Sequence, residues 1–299
     1  MPKSDKISCN EISDEILPVS GKPRCAIVGY GKVGTVLAKA LVERDYPLTG
    51  VVYRRLRRDA WLESLRIPRL EKIAEVNPET DFVILCVRDH QIEALVEAII
   101  ERGGFKSGTV VAHTAGALSA EILSPVRKVD ALVLAWHPLQ TFVGGESSDL
   151  LQGITFGIDG DPVAVELGEK IAIDLGGVPY RVPPEKRPIY HLSAVIACNL
   201  MAGLVSMAME LLKDADMDDD RALQALAPLI VKTAQNIAAK GLPQAISGPH
   251  RRGDIQTILA HLEILKQHPD IESVYRKLGR ELLRRLNNEN TTALFKQIL

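Results

Sequence analysis

The chain has 299 residues, a length typical of about two domains. Its 36 lysines and arginines nearly balance 38 aspartates and glutamates, the net charge is −2, and 4% of the residues are aromatic. This composition argues against a nucleic-acid-binding protein, which needs basic surfaces or aromatic stacking platforms. The 4 cysteines form no Cys-x-x-Cys pair, so the sequence predicts reduced thiols, a cytoplasmic protein and no metal site.

Residues 1–22 mix charged side chains with short apolar pieces and predict a flexible tail, not a signal peptide. After this tail, short apolar segments alternate with helical ones. The predicted strands are residues 24–28, 48–53, 81–87, 109–113, 131–137, 154–158 and 178–182. The predicted helices between them are residues 32–44, residues 91–101, and a helix that begins with Asp161 as N-cap and Pro162. This alternation predicts a doubly wound α/β domain of parallel strands with right-handed crossovers.

Residues 183–299 are almost entirely helical in pattern and predict a second, all-α domain. One uncharged segment in it, residues 192–209, approaches the length of a membrane span. Because this segment also contains serine, asparagine and glycine, we predict a helix buried on all sides instead.

The most informative motif is Gly29-Tyr30-Gly31-Lys32-Val33-Gly34, which follows a predicted strand and opens a predicted helix. In such a motif the first glycine permits a tight turn and the second lets a pyrophosphate approach the backbone. The third allows close packing of helix on strand. The helix N-terminus supplies N–H groups to the phosphates. The sequence therefore predicts that this turn binds a dinucleotide.

The end of the second predicted strand indicates which dinucleotide binds. A site selective for NAD usually has an acid there, on the ribose hydroxyls. This chain instead has Tyr53-Arg54-Arg55-Leu56-Arg57-Arg58. Arginine binds phosphate oxygens through two parallel hydrogen bonds, so NADP(H) is predicted over NAD(H), with Tyr53, Arg54 and Arg55 as contacts. A solvated basic turn is the alternative.

The whole chain resembles the superfamily of 6-phosphogluconate, 3-hydroxyisobutyrate, ketopantoate and pyrroline-5-carboxylate reductases and dehydrogenases. Within it, the chain looks like the Rossmann-like proteins whose helical half is labelled domain of unknown function 2520. The matching pieces are Gly29–Gly34, His113-Thr114-Ala115-Gly116-Ala117, His137-Pro138-Leu139-Gln140-Thr141-Phe142, Tyr190-His191, Asn199, Gly248-Pro249 and Arg252-Gly253-Asp254. The resemblance implies an NADP-binding Rossmann domain at residues 23–182, a helical substrate domain at residues 183–299, and a homodimer formed through the helical domain.

Polar side chains follow several predicted strands, at the edge of the sheet where ligands of doubly wound folds bind. The predicted cofactor contacts there are Val87, Arg88 and His113, and the predicted substrate contacts are Thr114, His137 and Gln140. Either histidine could instead donate a hydrogen bond to a backbone carbonyl at its strand end. Asp89 is better explained as the N-cap of the following helix.

His191 and Asn199 are eight residues apart on the first predicted helix of the second domain. In a regular α-helix this spacing corresponds to about 12 Å along the axis and about 80° around it. Ketopantoate reductase-like proteins have a proton-donating lysine and an asparagine at this spacing. The resemblance therefore implies that His191 is the general acid, because an imidazole of unperturbed pKa about 6.5 donates a proton near neutral pH. Lys186 is the alternative acid, and Asn199 either orients substrate or bonds another helix in a buried core.

The loop from Ser247 to Asp254 contains two arginines between glycines. Asp254 is predicted to cap the next helix. Arg252 is predicted to bind an anionic substrate or the cofactor, since a carboxylate fits its planar guanidinium. An ordinary connection between two helices is the alternative.

These observations favour an NADP(H)-dependent reductase of a small, anionic, keto-acid-like carbonyl or imine. Two alternatives remain: a catalytically silent NADP(H)-binding regulatory or interaction protein, and a pyrroline-5-carboxylate reductase-like imine reductase. No nucleic-acid or membrane partner is predicted.

Overall fold

The computed structural model describes residues 21–53 and 59–286. The predicted tail lies outside the described residues except for its last two, and so do the predicted cofactor contacts Arg54 and Arg55. The chain divides into two compact units, residues 1–198 and residues 199–299. The predicted domain boundary near residue 183 falls inside the first unit.

In the part of the chain that the structure describes, the first unit contains an eight-stranded sheet. Its strands are β1 (Cys25–Val28), β2 (Leu48–Val52), β3 (Arg69–Leu70), β4 (Phe82–Leu85), β5 (Val110–His113), β6 (Leu132–Pro138), β7 (Thr155–Gly160) and β8 (Val178–Arg181). They are hydrogen-bonded in the order β3-β2-β1-β4-β5-β6-β7-β8. The order reverses at β1, which pairs with both β2 and β4. Ligands of such sheets bind at this reversal, beyond the carboxyl ends of the strands.

Helices cover both faces of the sheet. In chain order they are α1 (Lys32–Glu43), α2 (Ala60–Ser64), α3 (Ile92–Glu101), α4 (Pro162–Asp174) and α5 (Arg187–Ala194), with 3₁₀ turns at Ile73–Glu75, Asp89–Gln91, Ala120–Val129, Ser148–Leu151 and Pro184–Lys186. Successive strand residues point to opposite faces. On one face Ile27 packs with Leu37 of α1 and Ile171 of α4. On the other, Val28 packs with Ile99 of α3. Strands buried on both faces explain the continuous apolar runs of the sequence.

The predicted α/β architecture followed by an all-α region is confirmed, and each predicted strand is present. One prediction about the sheet is wrong. Strand β7 runs antiparallel to β6, because the connection between them contains only the short turn Ser148–Leu151 and no crossover helix. Strand β3 was not predicted, since two residues are too few to show a hydrophobic period.

Two predicted helix caps differ from the structure. Asp161 occupies the N-cap of α4, but its side chain accepts no hydrogen bond from the helix. Its carboxylate instead accepts the Val133 N–H at 2.9 Å and pairs with Arg127 at 2.8 Å. Asp89 begins the turn before α3, and no side chain caps either that turn or α3. The prediction that Asp89 is an N-cap is therefore wrong.

The described part of the second unit is helical. Its helices are α6 (Leu200–Lys213), α7 (Asp219–Lys240), α8 (Pro249–Arg252), α9 (Ile255–Leu265) and α10 (Pro269–Leu286). Asp254 caps α9 as predicted, because its carboxylate accepts the Thr257 N–H at 3.2 Å. A small core of Ile258, Leu262 and Leu283 joins α9 to α10.

The apolar segment that the sequence predicts to be buried on all sides is helical but exposed. It passes from α5 through a π turn at Val195–Asn199 into α6. Its most apolar 18-residue window has a mean hydropathy of 1.9, and none of that window is buried. The helical stretch Pro184–Lys213, which contains the window, is long and apolar enough to cross a membrane. One such helix is weak evidence for a membrane span. The π turn also interrupts the regular α-helix on which the predicted 80° separation of His191 and Asn199 depends.

Candidate functional site

The turn between β1 and α1 places three glycines in three different surroundings. Gly29 has a φ of 102°, and a Cβ on it would overlap the Cys86 carbonyl. A Cβ on Gly34 would overlap the Gly29 carbonyl, so Gly34 brings α1 close to β1. The Cβ position of Gly31 has no atom within 4 Å. Because no side chain caps α1, the open space and the free N–H groups beside Gly31 suit a phosphate group.

A cavity of about 1290 Å³ opens beside this turn. Six of the predicted cofactor contacts line it, namely Gly29, Tyr30, Gly31, Tyr53, Val87 and Arg88. Three more lie in or just after the turn but not on the cavity wall, namely Lys32, Val33 and Gly34. Thr35 and Asp59, which the sequence does not predict as contacts, also line the cavity. The signal for Thr35 is its position one helical turn after Gly31, on the same face of α1.

Two tyrosines and an aspartate form one wall of the cavity. The rings of Tyr30 and Tyr53 are 5.6 Å apart between centroids and inclined at 39°. Asp59 caps α2 by accepting the N–H groups of Trp61 at 3.0 Å and Leu62 at 3.2 Å. Burial, with the Asp59 carboxylate nearby, raises the pKa of the Tyr30 hydroxyl, which is therefore uncharged at neutral pH.

Thr114 connects the cavity wall to the end of β5. Its N–H donates to the Leu85 carbonyl at 3.2 Å, next to Cys86, which lines the cavity. Burial raises the pKa of the Cys86 thiol to about 12, although a hydrogen bond with Thr114 lowers it. The thiol is thus protonated at neutral pH.

His113 has both ring nitrogens bonded to backbone. Its Nδ1 accepts the Ala115 N–H at 3.2 Å, which leaves Nε2 to donate to the Ser119 carbonyl at 3.0 Å. Burial lowers the pKa of His113 to about 4, so the ring is neutral at physiological pH. These contacts match the backbone-bonded alternative, and they leave neither nitrogen for a ligand.

His137, Tyr190 and His191 form a cluster at the carboxyl ends of β5 and β6. The imidazoles of His137 and His191 are 5.9 Å apart between centroids, with their planes at 77°. The Tyr190 hydroxyl lies 3.2 Å from Nδ1 of His137. A Cβ on Gly116 would overlap the His191 ring and lie 2.9 Å from Nε2 of His137. The backbone after β5 therefore packs against both rings.

The two imidazoles of this cluster differ in what they bond. Burial, together with the neighbouring charge of Arg187, lowers the pKa of His137 to about 3. Burial raises the pKa of Tyr190 to about 12, so the His137–Tyr190 pair is neutral at physiological pH. Within residues 21–53 and 59–286, neither ring nitrogen of His191 has a hydrogen-bond partner. Of His113, His137 and His191, only His191 is available to a ligand through both nitrogens.

A buried ion pair lies beneath this cluster. Arg187, the first residue of α5, has no exposed surface, and its Nη1 lies 2.8 Å from a carboxylate oxygen of Asp159 on β7. Nη1 and Nη2 also approach the Gly157 carbonyl at 3.4 and 3.3 Å. The other Asp159 oxygen accepts the Ala120 N–H at 2.8 Å. The sequence does not predict this pair, and its one signal is a charged residue, Asp159, inside an otherwise uncharged strand.

The remaining predicted site residues are exposed: Gln140, Lys186, Asn199 and Arg252. Lys186 ends the 3₁₀ turn before α5. Asn199 is exposed in the single chain, and both alternatives for it, a substrate contact and a hydrogen bond to another helix, stay predictions. In the second unit, the Arg252 guanidinium lies 3.9 Å from the Asp254 carboxylate.

Two family models match the chain. A Rossmann-like domain matches residues 13–138, and a domain of unknown function, DUF2520, matches residues 154–282. No curated protein matches the chain.

Solved structures share this fold over most of the chain. A Bacteroides fragilis protein provisionally assigned as an NADP oxidoreductase is 26% identical, with a TM-score of 0.70 over 87% of this chain and 98% of its own. A pyrroline-5-carboxylate reductase from Streptococcus pyogenes is 16% identical, with a TM-score of 0.60 over 88% of this chain and 99% of its own. A variant imine reductase from Myxococcus stipitatus, solved in complex with NAD⁺, is 13% identical, with a TM-score of 0.55 over 93% and 100%. The fold is therefore one that oxidoreductases use.

Proposed function

Because the chain belongs to the Rossmann-like proteins with a C-terminal DUF2520 domain, we propose that it is an NADP(H)-dependent reductase of a small carbonyl or imine. The observation that carries this proposal is the His191 imidazole. It lies at the carboxyl ends of β5 and β6, which are two and three strands from β1, the strand that leads into the glycine turn. Both of its nitrogens are available. The oxidoreductases with the same fold support the reaction class.

The residues around the glycine turn fit a nicotinamide dinucleotide. Gly31 leaves room for a pyrophosphate, and the uncapped N-terminus of α1 would balance its charge. Val87 and Arg88 line the same cavity. We propose that Arg54 and Arg55 bind a 2′-phosphate, which favours NADP(H) over NAD(H). When bound, this cofactor supplies the hydride.

We propose that His191 donates the proton that the reduction needs at the substrate oxygen or nitrogen. The other candidates are less suitable. His113 bonds the backbone through both nitrogens, and His137 is neutral at physiological pH and bonded to Tyr190. Lys186 is exposed on the turn that precedes α5.

The substrate is proposed to be small and anionic. Thr114, beside the cavity wall, and His137, beside His191, are proposed to contact it. Arg187 is fully buried and paired with Asp159, whereas Arg252 is exposed and remains the arginine predicted to bind a substrate carboxylate. Gln140 and Asn199 likewise stay predicted substrate contacts.

We also propose a homodimer formed through the second unit. Several of its apolar side chains are exposed, among them Leu200 at 55%, Leu204 at 41% and Leu229 at 63%. Exposed apolar side chains grouped on the helices of one unit suit a protein–protein interface. A cytoplasmic location stays a prediction from the sequence.

The test of the proposed activity is NADPH oxidation, followed by absorbance, against a panel of small keto acids, aldehydes and cyclic imines. We expect turnover with at least one class. Turnover confined to cyclic imines would place the protein with the pyrroline-5-carboxylate reductase-like enzymes. Tight NADPH binding with no turnover across the panel would contradict the proposal and favour the regulatory alternative.

A further inference from the structure

Arg187 is joined to β7 at two points. Its guanidinium pairs with Asp159 at 2.8 Å and approaches the Gly157 carbonyl, so it spans two alternate residues of one strand. Alternate strand residues share a face of the sheet. Asp159 is fixed in turn by the Ala120 N–H. The start of α5 is therefore held against β7 by a buried, hydrogen-bonded ion pair.

This attachment fixes the position of the side chains one turn further along α5. Tyr190 and His191 follow Arg187 by three and four residues, which places all three on one face of the helix. The Tyr190 hydroxyl lies over Gly157, where a Cβ would come within 2.6 Å of it. The Gly157 carbonyl thus accepts hydrogen bonds from the guanidinium. Because Gly157 has no side chain, the Tyr190 hydroxyl can pack directly on its backbone.

We infer that Arg187 is a positioning residue: clamped by Asp159 and the Gly157 carbonyl, it sets where α5 presents Tyr190 and His191 to His137. The inference rests on the proposed function for the role of His191. The positions of the His137 and His191 rings do not depend on catalytic activity, so they can be measured even if the protein turns over no substrate.

Arg187 also acts on the cluster through its charge. After burial, the Arg187 guanidinium is the largest cause that lowers the pKa of His137, followed by His191 and His113. Tyr190, the remaining titratable group that faces His137, is neutral at physiological pH. The Asp159 carboxylate offsets part of the guanidinium charge. Removal of Arg187 and removal of Asp159 should therefore change the His137 pKa in opposite directions.

The experiment is an NMR titration of the full chain with ¹³C,¹⁵N-labelled histidine, with His137 and His191 assigned from single substitutions. In the wild type we expect His137 to stay neutral down to about pH 4, because its pKa is about 3. Arg187→Met should raise its titration midpoint by about 1 pH unit or more, since a charge at close range is removed. It should also weaken the nuclear Overhauser contacts between the two imidazoles. Arg187→Lys, which keeps the charge, should leave the midpoint near the wild-type value.

Asp159→Asn distinguishes two explanations of a raised His137 midpoint in Arg187→Met: loss of the guanidinium charge, or entry of water into a disrupted site. It leaves the guanidinium unpaired, so the His137 midpoint should not rise, while the contacts between the rings should weaken. A rise of similar size in Asp159→Asn and Arg187→Met would show that both substitutions merely admit water, and would overturn the inference. Unchanged ring contacts in a folded Arg187→Met protein would also overturn it. If Arg187→Met does not fold, a raised His137 midpoint or unchanged ring contacts in folded Asp159→Asn would overturn the inference instead. The NMR outcomes do not depend on NADPH oxidation. The proposed reductase activity and the positioning role of Arg187 can therefore be refuted independently of each other.

Discussion

The His191 imidazole meets His137 edge to face, at 5.9 Å between ring centroids and with planes at 77°. The two rings reach this contact from different elements, β6 and α5. His137 is bonded to Tyr190 and is neutral at physiological pH, whereas the nitrogens of His191 are available. This asymmetry is the basis for assigning proton donation to one ring and a supporting role to the other.

Cofactor selectivity is expected to depend on the arginines after β2. NADPH should bind more tightly than NADH to the wild-type protein. Replacing Arg54 and Arg55 with alanine should remove roughly 1.5–3 kcal/mol of NADPH binding per charged hydrogen bond lost. NADH affinity should change little, because NADH has no 2′-phosphate. Isothermal titration calorimetry with both cofactors measures this, and equal affinities in the wild type would contradict it.

Gly29 and Gly31 should respond differently to alanine. Gly31→Ala should fold normally, since Gly31 has a φ of −95° and open space at its Cβ position. It should nevertheless weaken NADPH binding by about tenfold or more, because the methyl group enters the phosphate space. Gly29→Ala should instead lower the melting temperature, because its φ of 102° is unfavourable for alanine and its Cβ would meet the Cys86 carbonyl. Melting curves and NADPH titrations on both variants distinguish the effects. Undiminished NADPH affinity in Gly31→Ala would remove the proposed phosphate site.

Folding stability should decrease between about pH 7 and about pH 5.5. His113 and His137 have pKa values of about 4 and about 3 in the folded chain, chiefly because of burial. Their unfolded values are near 6.5, so below this pH the unfolded chain binds more protons than the folded one. Stability from these groups is complete above about pH 6.5 and is lost as the pH falls toward the folded values. The two groups together predict a loss of roughly 2 kcal/mol in the free energy of unfolding over this interval.

Urea denaturation at the two pH values measures this loss. His113→Gln should have a visibly weaker pH dependence than the wild type. His90→Gln, at an exposed position, is the matched control and should behave like the wild type. A wild-type stability that is flat across this interval would show that the two buried rings do not titrate as described.

The exposed apolar side chains of α6 and α7 should be covered in a homodimer. Light scattering of the wild type at micromolar concentration should give twice the mass of one chain. Leu204→Glu should shift the population toward monomer, since a charge in an apolar interface is costly to bury. Leu65→Glu, at a position 45% exposed in the first unit, should leave the mass unchanged. A monomeric wild type would contradict the proposed dimer.

Local patterns in the sequence predict the sheet and the glycine turn because their causes are local. The apolar run of β1, the backbone freedom of Gly29 and the apolar period of α1 are each contained in a few neighbouring residues. The Arg187–Asp159 pair has no such pattern, since its partners are 28 residues apart and meet only when β7 forms.

The antiparallel direction of β7 was also beyond the sequence, because a strand pattern does not specify the direction of pairing. The exposure of the helix after Pro183-Pro184 has a different cause. Hydropathy shows that the side chains of this segment are apolar. It does not show whether residues of the same chain or of another molecule bury them.

The assignment of His191 as the proton donor is tested most directly on wild-type and His191→Gln protein from matched preparations. Turnover with the best substrate of the panel, NADPH affinity and melting temperature are measured for both. If His191 donates the proton, the turnover rate of His191→Gln should fall on the order of 10²–10⁴-fold, the typical contribution of a general acid. NADPH affinity and the melting temperature should remain close to wild type, because the cofactor is proposed to bind at the glycine turn and His191 bonds no described residue. Wild-type turnover in a folded His191→Gln protein would contradict the assignment of His191 as the proton donor.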